Sequence, residues 1–268
     1  MIDREKIFIS DKNHLKKYFE DGCKPKEKWG IGAEYENFIF AKDTFQPVSY
    51  SGPRSIVTLF ENMIDRFGWA AIRENDLIIG LKKGNSNISL EPGGQFELSG
   101  GIKKSVHDVE KEMKSFMREM NILTNEFNLG FFSLGATPVW SLSDIPLMPK
   151  DRYKKIMAPY MKKVGKYGLD MMFRTCTIQV NLDYSSEEDM AKKVKIGFLL
   201  QPLATALFAS SPFFENRDTG YESWRANIWK DTDPARTGIP KFVFDEGLCF
   251  SDWVEFALDV PMYFIKRD

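Results

Sequence analysis

The sequence predicts an α+β fold built on a mainly antiparallel sheet. Three observations carry that prediction: extended runs with two-residue alternation, amphipathic helical stripes inserted unevenly between them, and no strict βαβ rhythm. No internal repeat, low-complexity tract or Ser/Gly linker divides the chain, so its 268 residues are expected to form one domain.

Four segments show helical periodicity. Residues 11–20 (DKNHLKKYFE) form a short helix closed by Gly22, and residues 53–67 carry Ile56, Leu59, Phe60 and Ile64 on one stripe ending at Gly68. Residues 104–128 place Val106, Val109, Met113, Phe116, Met120, Leu123 and Phe127 at three- and four-residue spacing, with a stop at Gly130. Residues 186–210 form a fourth helix, with Ser185 and Glu188 as a capping box and Pro202 as a kink. The Met and Phe stripes of these helices read as core. Strand signals lie between them at 31–40, 77–82, 88–98, 130–136 and 175–183.

Composition narrows the function. Hydrophobic residues make up 43% of the chain, enough for a substantial core. The 37 basic and 38 acidic residues argue against nucleic acid or an anionic membrane as the main partner. Cys23, Cys176 and Cys249 are odd in number and widely spaced, which fits reduced thiols rather than a disulfide framework or a zinc site. No apolar run approaches the ~18 residues of a membrane span, and MIDREKIFISDKNH lacks a signal-peptide core. A cytoplasmic protein is expected. No GxGxxG follows a strand and no GxxxxGKS is present, so Rossmann and P-loop sites have little support.

The polar faces of the strands carry the chemistry. In IGAEYENFIF, alternation puts Glu34 and Glu36 on one face, ~7 Å apart. In SLEPGGQFELSG, Pro92-Gly93-Gly94 breaks an extended run, after which Gln95, Glu97 and Ser99 share a face and Glu91 is able to converge on it. In TCTIQVNLD, Cys176, Ile178, Val180 and Leu182 face one way, toward helices. Thr175, Thr177, Gln179, Asn181 and Asp183 face the other, toward a cleft or solvent. Clustered carboxylates raise one another's pKa, and a divalent cation relieves that repulsion. Glu without Cys or His points to Mg²⁺ or Mn²⁺ rather than zinc, bound through carboxylates and nucleotide phosphates. His14 and His107 fall on predicted helices and are read as non-catalytic.

Arg152 (in LMPKDRYKKIM), Arg174 (ending LDMMFR) and Arg225 (between Trp224 and Trp229) are candidates to grip carboxylate or phosphate by a bidentate fork, or else surface ion-pair residues. The turn-rich run 224–238 reads as a long loop over the site, with Arg236 as a further candidate.

Four motifs, SLEPGGQFELSG, LDMMFRTCTIQVNLD, LLQPLATALFASSPF and IWKDTDPARTG, together with GAEYENF, closely resemble the glutamate–cysteine ligases of the plant and alphaproteobacterial type. Tyr35 stands where that family commonly has histidine. The resemblance covers roughly residues 28–264. It implies a fold shared with glutamine synthetase catalytic domains, a curved antiparallel sheet forming a funnel with helices outside. It also implies the reaction: ATP phosphorylates the γ-carboxylate of glutamate, and the amine of cysteine attacks the acyl phosphate. By position it implies Glu34, Glu36, Glu91 and Glu97 as metal and nucleotide carboxylates. Gln95, Asn181 and Trp229 become neighbouring substrate residues, and Arg152, Arg174 and Arg225 hold substrate carboxylate or transferring phosphate. Catalysis falls to Glu34, Glu36, Glu97 and Arg174. Family members continue beyond ALDVPMYF, so a C-terminal part of the fold is expected to be missing, with completion by a second polypeptide, or a homodimer, as possible assemblies. The competing readings are a γ-glutamyl ligase for another amine, a glutamate- or nucleotide-binding domain without turnover, and a glycosidase using paired carboxylates.

Overall fold

An eleven-residue strand, Ile31–Ala41, is the axis of the sheet. The computed structural model describes residues 9–262; residues 1–8, where the signal-peptide reading begins, and the end of the ALDVPMYF motif lie outside the described residues. In chain order the strands are β1 (Ile31–Ala41), β2 (Ala70–Glu74), β3 (Leu77–Lys83), β4 (Ser86–Leu90), β5 (Phe96–Ser99), β6 (Leu129–Phe132), β7 (Ile178–Leu182), β8 (Phe213–Phe214) and β9 (Arg217–Asp218). The α-helices are α1 (Lys12–Asp21), α2 (Ile56–Phe67), α3 (Val106–Glu126), α4 (Ala158–Met161), α5 (Gly168–Arg174), α6 (Glu187–Leu207), α7 (Trp224–Lys230) and α8 (Phe250–Asp259). A π-helical turn, Tyr153–Met157, leads into α4.

The described residues fall into two compact units, 30–181 with 203–238, and 9–29 with 182–202 and 239–262. The larger unit holds the sheet, in the order β2-β3-β4-β5-β1-β6 with β7 also paired to β1. The β1 pairs with β5 and β6, and the pairs β2-β3, β3-β4 and β4-β5, are antiparallel. The expected α+β architecture is therefore present. One face is apolar. Leu81, Ile88, Leu90, Phe96 and Leu98 meet Ile56, Leu59, Phe60 and Met63 of α2 and Phe116, Met120 and Leu123 of α3 in a single core. Each of these fully buried large side chains contributes on the order of 1.5–3 kcal/mol. Both helices begin on serine caps: Thr58 N donates to Ser55 Oγ and Asp108 N to Ser105 Oγ. A left-handed Gly68 (φ 73°) ends α2.

In the smaller unit α1 and α8 bring Phe19 and Phe250 into a stack with centroids 5.7 Å apart. Glu187 at the start of α6 accepts from Phe250 N at 2.8 Å, and Lys24 pairs with Asp183 at 2.6 Å.

Several elements depart from the sequence reading. β2 carries no alternation and is largely exposed; pairing with β3 across the Asn75 turn (φ 53°) makes it a strand. The expected loop over 224–238 opens with the helix α7, capped by Ser223, whose hydroxyl accepts from Ala226 N at 3.4 Å. α3 stops at Glu126, before Gly130, and Asn128 takes the left-handed turn (φ 53°). At the start of α6 the capping bonds run from Asp189 N to Ser186 Oγ and from Ser185 N to Asp189 Oδ2, rather than between Ser185 and Glu188. Its apolar stripe is not core: Ile196, Leu199, Leu200, Leu203 and Leu207 are exposed and only Met190 is buried. The apolar side of β7 likewise meets solvent at Ile178 and Val180, although Cys176 just before it is buried. An apolar stripe predicts burial only where another element packs on it, and among the described residues none covers these.

Candidate functional site

Register along the sheet decides which polar side chains share a face. Glu36 on β1 sits directly opposite Glu97 on β5, and Glu34 opposite Ser99. Because Tyr35 pairs with Leu98 on the core side, the two glutamates of β1 and Glu97 project from the face away from α2 and α3. Like charges placed directly across a sheet are destabilising, so nothing in folding favours this pair. The turn between β4 and β5 brings in Glu91. Glu91 N donates to Gln95 O and Gly94 N to Glu91 O, both at 2.9 Å. Gly94 is left-handed (φ 85°), and a Cβ on Gly93 would collide with Phe173 O, so the Pro92-Gly93-Gly94 break is a packing requirement as well as a turn.

A cleft of about 560 Å³ opens here, and Glu36, Glu91, Gln95, Arg225 and Trp229 line it, with Met157, Met171 and Met172 as its apolar wall. Each carboxylate takes a hydrogen bond from a different donor. Thr177 N donates to Glu36 Oε2 at 2.9 Å, Tyr153 OH to Glu91 Oε1 at 3.2 Å, Ser99 Oγ to Glu97 Oε1 at 2.6 Å, and Asn181 Nδ2 to Glu34 Oε1 at 3.0 Å. Burial, then the charges of Glu97 and Glu91, push Glu36 up to about 7. Glu91 is also pushed up, chiefly by burial, against the pull of Lys150. Burial pulls the Lys150 ammonium down and pushes the Tyr153 phenol up.

The shift at Glu36 has a stability consequence. The folded state holds the Glu36 proton more tightly than the unfolded chain, so folding stability falls as pH rises from 4.5 to about 7. The loss is at most about 3 kcal/mol. Glu36→Gln is expected to flatten that slope, giving a metal-free protein that melts higher than wild type at pH 8 and no higher at pH 4; thermal melts across this range check it.

The three arginines part company. The Arg225 guanidinium is largely buried beside Glu36 and Cys176. Its Nε finds no hydrogen-bond partner among the described residues, and it lies 5.5 Å from the Trp229 ring. Arg152 donates to Tyr153 OH at 3.1 Å, and that hydroxyl in turn lies against Glu91. Arg174 is corrected from a cleft residue to a buried anchor. Its fork is committed to Asp170 on its own helix, to Glu215 at 2.7 Å and to Trp140 O at 2.9 Å, and it stacks on Phe214. With four hydrogen bonds spent on these internal acceptors and 3% exposure, it is shut away from the cleft. Arg236 is likewise tied to Asp233 at 2.9 Å and to Tyr160. Gln95 is buried: its Nε2 donates to Thr175 O at 2.9 Å, so it pins the end of α5 to the turn as much as it lines the cleft.

Among the described residues no three His, Cys, Asp or Glu side chains are grouped closely enough to hold one ion. A single four-glutamate ligand set is therefore not assembled, because each carboxylate is turned toward its own donor. The donor set still suits a hard cation: oxygen only, under-compensated, and open to a cleft. Mg²⁺ is commonly held by one or two carboxylates with water and phosphate completing its shell. Lys150 and Tyr153 escaped the sequence reading, and Thr177, expected on the polar face of its strand, serves through its backbone N–H. Lys150 and Tyr153 stand three apart in LMPKDRY, but a buried lysine is not distinguishable from a surface one without the fold.

The profile of glutamate–cysteine ligase family 2 matches residues 30–268. The chain belongs to that family. It is 51% identical over 257 residues to glutamate–cysteine ligase B, chloroplastic, of Oryza sativa subsp. japonica, covering 96% of this chain and 51% of the rice protein. The tobacco (Nicotiana tabacum) chloroplastic enzyme is 51% identical over 256 residues, covering 96% of this chain and 48% of its own. The Arabidopsis thaliana one is 50% identical over 250 residues, covering 93% and 47%. This member of glutamate–cysteine ligase family 2 thus spans about half the length of the curated relatives it matches. The expectation of a cytoplasmic protein is overturned, since the relatives at this identity are named chloroplastic. Organelle addresses are N-terminal segments read by receptors, so the composition of a folded domain does not report them. Among the described residues, no helix is long and apolar enough to cross a membrane.

Proposed function

We propose that the cleft serves the ATP-dependent joining of the γ-carboxylate of glutamate to the amine of cysteine, the first step of glutathione synthesis. Glu36 and Glu91 on one cleft, with the charge of Glu97 acting on both, in a chain of glutamate–cysteine ligase family 2, carry this reading. A carboxylate is a poor acyl donor until one oxygen becomes a leaving group. Transfer of the ATP γ-phosphoryl to glutamate forms the acyl phosphate and releases ADP; the cysteine nitrogen then bonds to that carbonyl carbon, loses its proton and expels phosphate. Such transfer needs positioning and charge stabilisation more than covalent help. Bound Mg²⁺ or Mn²⁺ would neutralise and bridge the nucleotide phosphates. One or two of Glu36, Glu91 and Glu97 would hold it, with phosphate and water completing its shell and Glu34, oriented by Asn181, at the edge of the set. Arg225 is poised to grip a carboxylate or the transferring phosphate, Arg152 to contribute at the rim, and Trp229 and the methionines to exclude water. On this reading the sheet is one wall of a glutamine-synthetase-like funnel, the rest of which would come from polypeptide that the relatives carry in their other half. Its ligands are glutamate, cysteine and ATP rather than nucleic acid or membrane, and a second copy or a completing polypeptide is the macromolecular partner.

ADP release measured against a panel of amines tests the substrate. Cysteine is expected to give the highest kcat/KM; a much higher value with 2-aminobutyrate or another amino acid would overturn the assignment. The half-length match supports one second reading, a domain that binds Mg·ATP without turnover. Calorimetric binding with no ADP release from this chain alone would favour it.

A further inference from the structure

Behind the cleft, the Tyr153 side chain is 1% exposed and its hydroxyl is the meeting point of two cations and one carboxylate. Lys150 Nζ lies 3.3 Å and Arg152 Nη2 3.1 Å from that oxygen. Both groups have only protons to give, so they occupy its acceptor side. The single phenolic proton then has Glu91 Oε1 at 3.2 Å, Glu91 Oε2 at 3.3 Å and Leu90 O at 3.3 Å within reach. A charged acceptor forms the stronger bond, so the proton is drawn to Glu91. The same two cations lie 5.1 and 4.9 Å from the centre of the Tyr153 ring, which holds them over the aromatic face.

The backbone fixes this arrangement from both sides. Met148 N donates to Pro92 O at 3.0 Å, tying the segment before Lys150 to the Glu91–Gln95 turn. Tyr153 opens the π-helical turn Tyr153–Met157, a local irregularity frequent at functional sites. Neither Lys150 nor Arg152 forms an ion pair with Glu91 within 4.0 Å; the positive charge reaches the carboxylate through the phenol.

We propose that Tyr153 is a positioning residue. It relays the Lys150 and Arg152 donors to Glu91 and holds that carboxylate turned to the cleft, ready for a divalent cation. The proposal rests on the reading of Glu91 as a cation ligand. Partners that orient metal-binding carboxylates typically change metal affinity 10–100-fold when removed.

The test is Mn²⁺ titration of the full 268-residue chain, followed by calorimetry. Tyr153→Phe keeps the ring and deletes the relay; its Mn²⁺ Kd is expected to rise about 10-fold with an unchanged far-UV spectrum. In turnover the KM for metal should rise while kcat at saturating Mg²⁺ stays within about twofold of wild type. A wild-type Kd for Tyr153→Phe overturns the proposal. Glu91→Gln separates the two layers. If it weakens Mn²⁺ and Tyr153→Phe does not, only the relay fails; if neither variant changes Mn²⁺ binding, Glu91 is no ligand and both fail. Should Tyr153→Phe not fold, Lys150→Met removes one of the two donors and leaves the phenol and Glu91 in place. A several-fold rise in Mn²⁺ Kd supports the relay, and no change overturns it.

Discussion

Glu97→Gln is expected to lower metal-dependent ATP turnover by about 10²–10³-fold while leaving the fold intact. Glu97 faces Glu36 across the β1-β5 pair and is only 9% exposed. The amide keeps the shape and can still accept from Ser99 Oγ, so the substitution isolates the charge. That charge is one of those holding Glu36 up to about 7. Removing it lets Glu36 ionise at lower pH, so any remaining activity should have its acidic limb shifted downward. ADP release at saturating Mg²⁺, with circular dichroism on the same sample, checks both parts. Undiminished turnover would remove Glu97 from the site.

Arg225→Ala is expected to cost about 10³-fold in kcat/KM, the lower end of what a cation on a transferring phosphoryl group contributes. Arg225→Lys should keep part of kcat and raise KM for glutamate or ATP, since an ammonium cannot reproduce the planar fork. The basis is an unspent donor: Arg225 is largely buried, borders Glu36, and its Nε is unbonded among the described residues. Such a group costs stability unless a ligand completes it. Arg174 is the internal contrast, with four hydrogen bonds to internal acceptors, and Arg174→Lys should act on thermal stability more than on KM. Steady-state kinetics with each substrate varied in turn, beside melting curves, distinguishes the two arginines; an unchanged KM for both glutamate and ATP in Arg225→Lys would count against its role.

Much of the fold was legible. The alternation in IGAEYENFIF and QFELS placed β1 and β5, and the Phe116, Met120 and Leu123 spacing placed the core face of α3, because period follows from local backbone geometry. β2 was not legible, since pairing rather than pattern makes it a strand. The exposure of the α6 stripe and of Ile178 and Val180 was not legible either, because a stripe states what could be buried and not whether a partner is present. In the site, Glu36, Glu91, Gln95, Arg225 and Trp229 share one cleft as their motifs suggested. Arg174 stood equally close in sequence to the polar strand, yet Asp170, one helical turn back, and Glu215 claim it.

By itself the sequence determined the face each glutamate of β1 and β5 takes and the break at Pro92-Gly93-Gly94, because two-residue alternation and glycine's freedom are local properties. It also determined the family. Only the tertiary structure decided that Glu36 and Glu97 stand opposite one another, that Arg225 lines the cleft while Arg174 is spent on internal acceptors, and that Tyr153 stands behind Glu91. Those outcomes depend on strand register and on which buried charges find partners, and both are set by contacts between residues far apart in the chain.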